Sequence, residues 1–153
     1  MTETEQGNRK LPLRVVVADD HPGMLNRLIS ILESEFLVVV AAENGQLALE
    51  RVKEYRPDVV ILDLEMPVLD GVATTRELKK LPFAPAVVIC SVQNDPAIVE
   101  AAHQAGAMGY VFKTCINQDL IEAVKSAARG EYFVSSHCER SIRETEDALS
   151  VAK

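Results

Sequence analysis

Short apolar runs alternate along this chain with longer stretches in which apolar residues recur at helical spacing. An apolar run of strand length that ends at turn residues is typical of a strand buried on both faces of a sheet. The clearest run, Val59–Leu62, ends at Asp63 and is followed by a loop that contains Pro67 and Gly71. Similar runs predict four further strands, at Leu13–Ala18, Leu37–Ala42, Ala86–Cys90 and Gly109–Phe112.

The stretches between these runs carry the start and stop signals of helices. Pro22 suits the first turn of a helix, and an aspartate just before it suits the N-cap. Gly106 and Gly130 follow stretches of helical spacing and suit helix ends. The predicted helices run from about Pro22 to Ser34, Asn44 to Tyr55, Gly71 to Lys80, Asp95 to Ala105 and Gln118 to Arg129. Five strands that alternate with five helices predict an α/β fold whose parallel sheet is covered on both faces.

Composition and charge narrow the class of protein. Of the 153 residues, 48% are apolar and 25% are charged, as in ordinary globular domains. The apolar runs are too short to cross a bilayer, and residues 1–10 contain no signal-peptide core, so we expect a cytoplasmic protein without membrane contact. The net charge of −7 argues against direct DNA binding by this chain.

The length of the chain favours a single domain. We expect residues 1–10 to be a disordered leader and residues 11–134 to form the domain. Residues 135–153 are expected to be a polar C-terminal tail or linker stump that contains a short helix at most. Cys90, Cys115 and Cys138 are too few and too widely spaced for a disulfide framework or a zinc site.

In an open parallel sheet, the carboxyl ends of the strands share one edge, and ligands bind there. The predicted strands bring five polar side chains to that edge: Asp19, Asp20, Asp63, Ser91 and Lys113. Neighbouring carboxylates repel one another, and Mg²⁺ compensates such charges through oxygen ligands. Together with an ammonium and a hydroxyl, a divalent cation would surround the oxygens of a transferring phosphoryl group, for which an aspartate can be the nucleophile.

Each of these five side chains also has an ordinary structural explanation when it is taken singly. The aspartates could cap a helix or end a strand, the serine could stabilise a turn, and the lysine could lie on the surface. These explanations would all have to hold together, at one edge of one sheet. We therefore favour a reactive site.

The order of these residues resembles the signature of the receiver domain of two-component response regulators. The matching features are Asp19-Asp20, Asp63 within Leu62–Pro67, Asp70-Gly71, Ser91, and Lys113 after Gly109–Phe112. The resemblance covers about Leu13–Arg129, and the start Asp19–Pro22 together with Gly130–Ser135 looks most like the NarL/FixJ subfamily. It implies a flavodoxin-like receiver fold with a five-stranded parallel sheet in the order 2-1-3-4-5, flanked by five helices.

The resemblance also implies which residues form the phosphorylation site. Asp63 would be the phosphoacceptor. Asp20 and Asp63 would bind Mg²⁺ directly, together with the backbone carbonyl of Glu65, while Asp19 would act mainly through water. The side chain of Glu65 adds a negative charge beside the site. We hypothesise that this charge disfavours anionic phosphodonors and tunes the lifetime of the acyl phosphate.

The remaining implied roles concern the response to phosphorylation. Lys113 would hold the phosphoryl oxygens, and Ser91 would move to bond the phosphoryl group. Tyr110 would change its rotamer with Ser91 and alter the face made by the fourth helix, the fifth strand and the fifth helix. The charge that phosphorylation adds acts by shifting the balance between two conformations of such an element.

A protein of this kind is expected to be a signalling switch that turns over no external substrate. Its implied partner is a cognate histidine kinase or phosphotransfer protein, and a second copy of the chain, bound through helices 4–5 or 1–5, is a further candidate. The segment His137–Lys153 is too short for a helix-turn-helix. The chain is therefore expected to be either a stand-alone receiver or the excised receiver of a DNA-binding transcriptional regulator.

The alternative from another class is a phosphohydrolase that uses Asp63 as its nucleophile, in the manner of haloacid-dehalogenase-like enzymes. Those enzymes place a second aspartate two residues after the first, where this chain has Glu65. The following residues, Met66 and Pro67, do not extend that match. The sequence thus favours the receiver over the enzyme.

Overall fold

The apolar runs form one parallel β-sheet in the computed structural model, which describes residues 11–136. Residues 1–10 and 137–153, which include Cys138 and the expected leader and most of the expected tail, lie outside the described residues. The strands are β1 (Arg14–Ala18), β2 (Leu37–Ala42), β3 (Val59–Asp63), β4 (Ala86–Ser91), β5 (Gly109–Phe112) and β6 (Phe133–Val134). The α-helices are α1 (Pro22–Leu32), α2 (Gly45–Tyr55), α3 (Gly71–Lys79), α4 (Pro96–Ala105) and α5 (Ile116–Ala128).

The strand order is β2-β1-β3-β4-β5-β6, and every neighbouring pair is parallel. The expected five-stranded core in the order 2-1-3-4-5 is therefore confirmed. The sixth strand, β6, was not predicted, because two residues are too few to show a hydrophobic period. Ser135, directly after β6, is buried, so the packing of the domain reaches at least this residue.

The core lies on both faces of the sheet, which explains the unbroken apolar runs. Alternate residues of a strand point to opposite faces. In β3, Val60 and Leu62 pack in the cluster that contains residues of α2, α3 and α4, whereas Val59 and Ile61 pack in the cluster that contains residues of α1 and α5. Among the described residues, no helix has the length and apolar character needed to span a membrane.

Two predicted helix starts differ from the structure. An aspartate was expected to cap α1, but the N-cap is His21, whose Nδ1 accepts the Met24 N–H at 3.3 Å. The carboxylate of Asp19 instead accepts the N–H of His21 at 2.8 Å and is drawn inward to the sheet edge. The last helix starts at Ile116 and not at Gln118, since a 3₁₀ turn runs directly into it.

In the loop between β3 and α3, Val68 has a backbone conformation that the sequence does not predict. Val68 has a φ of +72°, in the region that L-residues avoid. The Leu69 N–H donates to the Pro67 carbonyl at 2.8 Å, which closes a γ-turn around Val68. The valine side chain is mostly exposed, with 78% of its surface accessible, so packing does not compensate the strain of this turn.

We expect Val68→Gly to stabilise the domain by about 1 kcal/mol, because the left-handed penalty of a residue with a Cβ exceeds the extra entropy that glycine loses. Urea unfolding of the variant and the wild type measures the difference. Val68→Ala is the matched control, since it shortens the side chain but keeps the Cβ. Equal stability of the glycine and alanine variants would contradict this explanation.

Candidate functional site

The carboxyl ends of β1 and β3 bring three carboxylates together. Ala18 pairs with Leu62 across the two strands, so the residues that follow them leave the sheet side by side. Asp19 and Asp63 are buried, and Asp20 is exposed. One carboxylate oxygen of each of the three lies within 4.8 Å of those of the other two. The aspartates that the sequence singled out thus form one acidic cluster.

Lys113 closes this cluster from the far end of the chain. Its ammonium lies 2.8 Å from Oδ2 of Asp19 and 3.2 Å from Oδ1 of Asp63, and only 12% of its side chain is accessible. The lysine follows β5 directly and opens the 3₁₀ turn. Both oxygens of Asp19 are thereby engaged, one by the ammonium and the other by the backbone N–H of His21.

The surroundings of the cluster shift two pKa values. Burial raises the pKa of Asp63 above its ordinary value, and the charge of Asp19 raises it further. The ammonium of Lys113 and the backbone N–H of Glu65 act in the opposite direction. Burial alone would lower the pKa of Lys113, but its hydrogen bonds and its attraction to the two aspartates outweigh burial and raise it. The lysine therefore stays charged, as its bridging position requires.

The donor set of the cluster fits a hard divalent cation. Three carboxylates face one ammonium, so the charges within the cluster are not balanced by protein groups alone. Carboxylate oxygens are the ligands that Mg²⁺ prefers, and it keeps several waters when it binds. Asp20 and Asp63 would be the principal ligands, because the ammonium and a backbone amide already occupy Asp19.

A close approach of backbone to backbone holds Asp63 in place. A Cβ at Gly71 would lie 2.5 Å from the carbonyl oxygen of Asp63, so only glycine fits at the start of α3. The Gly71 N–H donates to the Leu64 carbonyl at 2.7 Å, and Asp70 caps the same helix by accepting the Ala73 N–H. The sequence marked Gly71 as a turn residue, whereas its structural role is this approach to the carboxylate-bearing strand end.

Ser91 and Tyr110 are joined to one loop residue and not to the acidic cluster. The hydroxyl of Ser91 accepts the Gln93 N–H at 3.0 Å, and the phenol of Tyr110 donates to the Gln93 carbonyl at 2.8 Å. Both side chains are buried, and burial raises the pKa of the phenol. The sequence did not identify Gln93, because the residue contributes only its backbone.

Cys90 is the register partner of Asp63 on the neighbouring strand, yet it has no reactive character. Burial raises the pKa of its thiol to about 12, so it stays protonated at physiological pH. Thiolates and not thiols act as nucleophiles and metal ligands. Cys90 is thus a packing residue, as its place in a buried strand suggests.

Comparison with known proteins shows which protein family has this arrangement. Residues 15–125 match the family described as the response regulator receiver domain. The transcriptional regulatory protein DegU of Brevibacillus brevis is 36% identical over 124 residues, which are 80% of this chain and 52% of DegU. The chemotaxis protein CheY of Halobacterium salinarum is 36% identical over 111 residues, which are 72% of this chain and 92% of CheY.

A solved structure shows the same fold. The signal receiver domain of the response regulator NarL from Mycobacterium tuberculosis superimposes with a TM-score of 0.76 at 34% identity, and the match covers 80% of this chain and all of that domain. The chain spans only about half the length of DegU.

We expect Asp63→Asn to stabilise the protein at pH 7, by on the order of 1 kcal/mol, because the neutral amide avoids the burial and repulsion that disfavour the carboxylate. Since these effects raise the folded pKa of Asp63, the wild type carries the penalty fully above that pKa. The penalty disappears as the pH falls to the ordinary value of 3.8.

Urea unfolding at neutral and acid pH checks this dependence. Glu43→Gln removes the same charge from an exposed position outside the cluster and is the control. The expectation is wrong if the stability difference between Asp63→Asn and the wild type is the same at both pH values.

Proposed function

The chain belongs to the family of response regulator receiver domains of two-component systems, is NarL-like within it, and on this premise we propose that Asp63 is its phosphoacceptor. Receiver domains are signalling switches and not classical enzymes. The observation that carries the proposal is the bridge from Lys113 to Asp19 and Asp63 at buried strand ends, in which Lys113 and Asp19 lie 94 positions apart in the sequence.

In the proposed transfer, a carboxylate oxygen of Asp63 attacks the phosphorus of a donor. A new bond forms between this oxygen and phosphorus, and the bond from phosphorus to the leaving group breaks. The ammonium of Lys113, now 3.2 Å from the attacking carboxylate, is in place to exchange that contact for a phosphoryl oxygen. Such preplaced charge stabilises the transition state without reorganisation during the reaction.

The acidic cluster supplies the rest of the charge that the transfer needs. Asp20 and Asp63 would hold Mg²⁺, with Asp19 acting through water and the Glu65 carbonyl as a further ligand. Bound there, the ion would neutralise charge on the phosphoryl oxygens. The engagement of both Asp19 oxygens by protein donors supports the indirect role of that residue.

Ser91 and Tyr110 are the proposed switch, and their shared partner supports this assignment. A hydroxyl that turned from the Gln93 N–H toward a phosphoryl group would release the loop between β4 and α4. The Tyr110 phenol is bound to the carbonyl of the same residue and would lose its anchor when the loop moves. Phosphorylation at Asp63 would thus reach α4 and β5 through the backbone of one residue, Gln93.

The proposed output is the face of α4, β5 and α5, to which β6 belongs because it lies along the outer edge of β5. A histidine kinase or phosphotransfer protein is the proposed donor, and a homodimer through α4–α5 or α1–α5 is a proposed form of the active state. DegU and NarL are by name transcriptional regulators, and this chain matches about half of DegU. We therefore also propose that the chain controls transcription through a further domain or partner that binds DNA.

The phosphohydrolase alternative is not supported. The family model that matches residues 15–125 describes a receiver domain, and the relatives DegU and CheY match this chain over most of its length.

Incubation with Mg²⁺ and acetyl phosphate is expected to add one phosphoryl group, detected by intact mass. Asp63→Ala should abolish the adduct, and Lys113→Ala should slow its formation by about 100-fold, the usual effect of losing one stabilising donor. Asp58→Ala, at the amino end of β3, is the control and should keep the adduct. An adduct that persists in Asp63→Ala would overturn the proposal.

The charge of Glu65 is the proposed determinant of donor preference. Its side chain is exposed and lines, with Asp20, Met66 and Ile98, a cleft of about 790 Å³ between α4 and the loop that follows β3. A carboxylate that lines this cleft together with Asp20 repels an anionic donor that approaches the cluster. The same charge would repel the phosphoryl group once it is bound.

Glu65→Asn is expected to raise the rate of phosphorylation by acetyl phosphate about 2- to 5-fold, the effect of one exposed charge of up to about 1 kcal/mol. Rates at low and high salt measure it, and the gain should shrink as salt screens the charge. Glu65→Asp keeps the charge and should show no gain. Unchanged rates in Glu65→Asn would refute the role of this charge.

A further inference from the structure

Ser135 stands at the end of the unpredicted strand β6 and makes two hydrogen bonds to β5. Its backbone N–H donates to the Tyr110 carbonyl at 2.9 Å, and its Oγ accepts the Phe112 N–H at 3.1 Å. Only 5% of Ser135 is accessible. The side-chain oxygen therefore continues the hydrogen-bond ladder at the point where the two-residue strand β6 ends.

This hydrogen bond secures the peptide that carries the bridging lysine. Phe112 is the last residue of β5, and Lys113 follows it and opens the 3₁₀ turn. On the other side, Phe112 pairs with Ser91 of β4. The strand end is thus held from both sides, by β4 on one and by the Ser135 hydroxyl on the other.

Two further contacts hold Ser135 in register. Phe133 packs in the cluster on the α1 and α5 side of the sheet, and Val134 packs on the side of α2, α3 and α4. Their backbones pair with Gly109 and Tyr110 of β5. The two side chains of β6 therefore pack in the core on opposite faces of the sheet, and this packing leaves Ser135 little freedom to shift along β5.

We propose that Ser135 is a positioning residue for Lys113: its hydroxyl holds the end of β5 so that the ammonium reaches both Asp19 and Asp63. The inference rests on the proposed function of Lys113 in phosphoryl transfer. Ser135 lies beyond residues 15–125, the stretch that matches the receiver family, so the family match assigns it no role. Without the hydroxyl, the buried Phe112 N–H loses its acceptor, and such a peptide reorients or admits water.

Matched variants separate the hydroxyl from the shape of the side chain. Ser135→Thr keeps the hydroxyl, while Ser135→Val has nearly the same shape as threonine without it. Ser135→Ala removes the hydroxyl with the least added bulk. Ser126→Ala is the control, because Ser126 is also buried and donates to Glu122 at 3.2 Å on α5, remote from the strand end.

The first readout is the resting protein, without phosphodonor. The ammonium of Lys113 should give a protected signal in ¹H–¹⁵N spectra, assigned by its loss in Lys113→Ala. We expect this signal to be lost or strongly broadened in the alanine and valine variants and kept in Ser135→Thr and Ser126→Ala. An unchanged Lys113 signal in both variants that lack the hydroxyl would overturn the inference.

The second readout is phosphorylation by acetyl phosphate at saturating Mg²⁺. We expect Ser135→Ala and Ser135→Val to react about 10-fold more slowly, since small displacements of catalytic groups lower rates by such factors, and Ser135→Thr to recover the wild-type rate. Equal rates in the threonine and valine variants would contradict the positioning role. A wild type that forms no adduct, with the spectral result as expected, would refute the proposed function while leaving the placement of Lys113 by Ser135 intact.

Discussion

Two buried carboxylates held by one ammonium are the constraint on which this molecule depends. Asp19 and Asp63 lie on adjacent strands at the same sheet edge, and Lys113 reaches both from β5. Like charges that are buried together are unfavourable unless opposite charge and hydrogen-bond donors face them. The backbone N–H groups of His21 and Glu65 are such donors to Asp19 and Asp63. Gly71 lets the start of α3 approach the carbonyl oxygen of Asp63, because a Cβ there would not fit.

The same constraint links the cluster to the rest of the fold. Because Lys113 directly follows β5 and Tyr110 lies within it, any change in the charge of Asp63 acts on a strand that also holds Tyr110 of the proposed switch. The backbone of Gln93 joins Ser91 and Tyr110 on the α4 side, and Ser135 joins β6 to the end of the strand. Hydrogen bonds therefore tie the strand that leads to Lys113 both to the loop before α4 and to β6.

The features that sequence reasoning predicted are those with a repeated or spaced signal. Continuous apolar runs predicted β1 to β5, because strands buried on both faces have no polar alternation. The strand ends then placed Asp63 and Lys113 at one edge, which the structure shows. The prediction failed where no repeated signal exists: His21 and not an aspartate caps α1, and β6 is only two residues long.

By itself, the sequence determined the strands, the helices and the set of polar residues at the strand ends, since hydrophobic period and turn chemistry are local properties. Only the tertiary structure decided which oxygen faces which donor. Lys113 bridges two aspartates, the Ser91 hydroxyl accepts the Gln93 N–H, and Ser135 completes the ladder of β5. These contacts join residues that are distant in sequence or depend on backbone atoms, and neither kind leaves a periodic pattern in the chain.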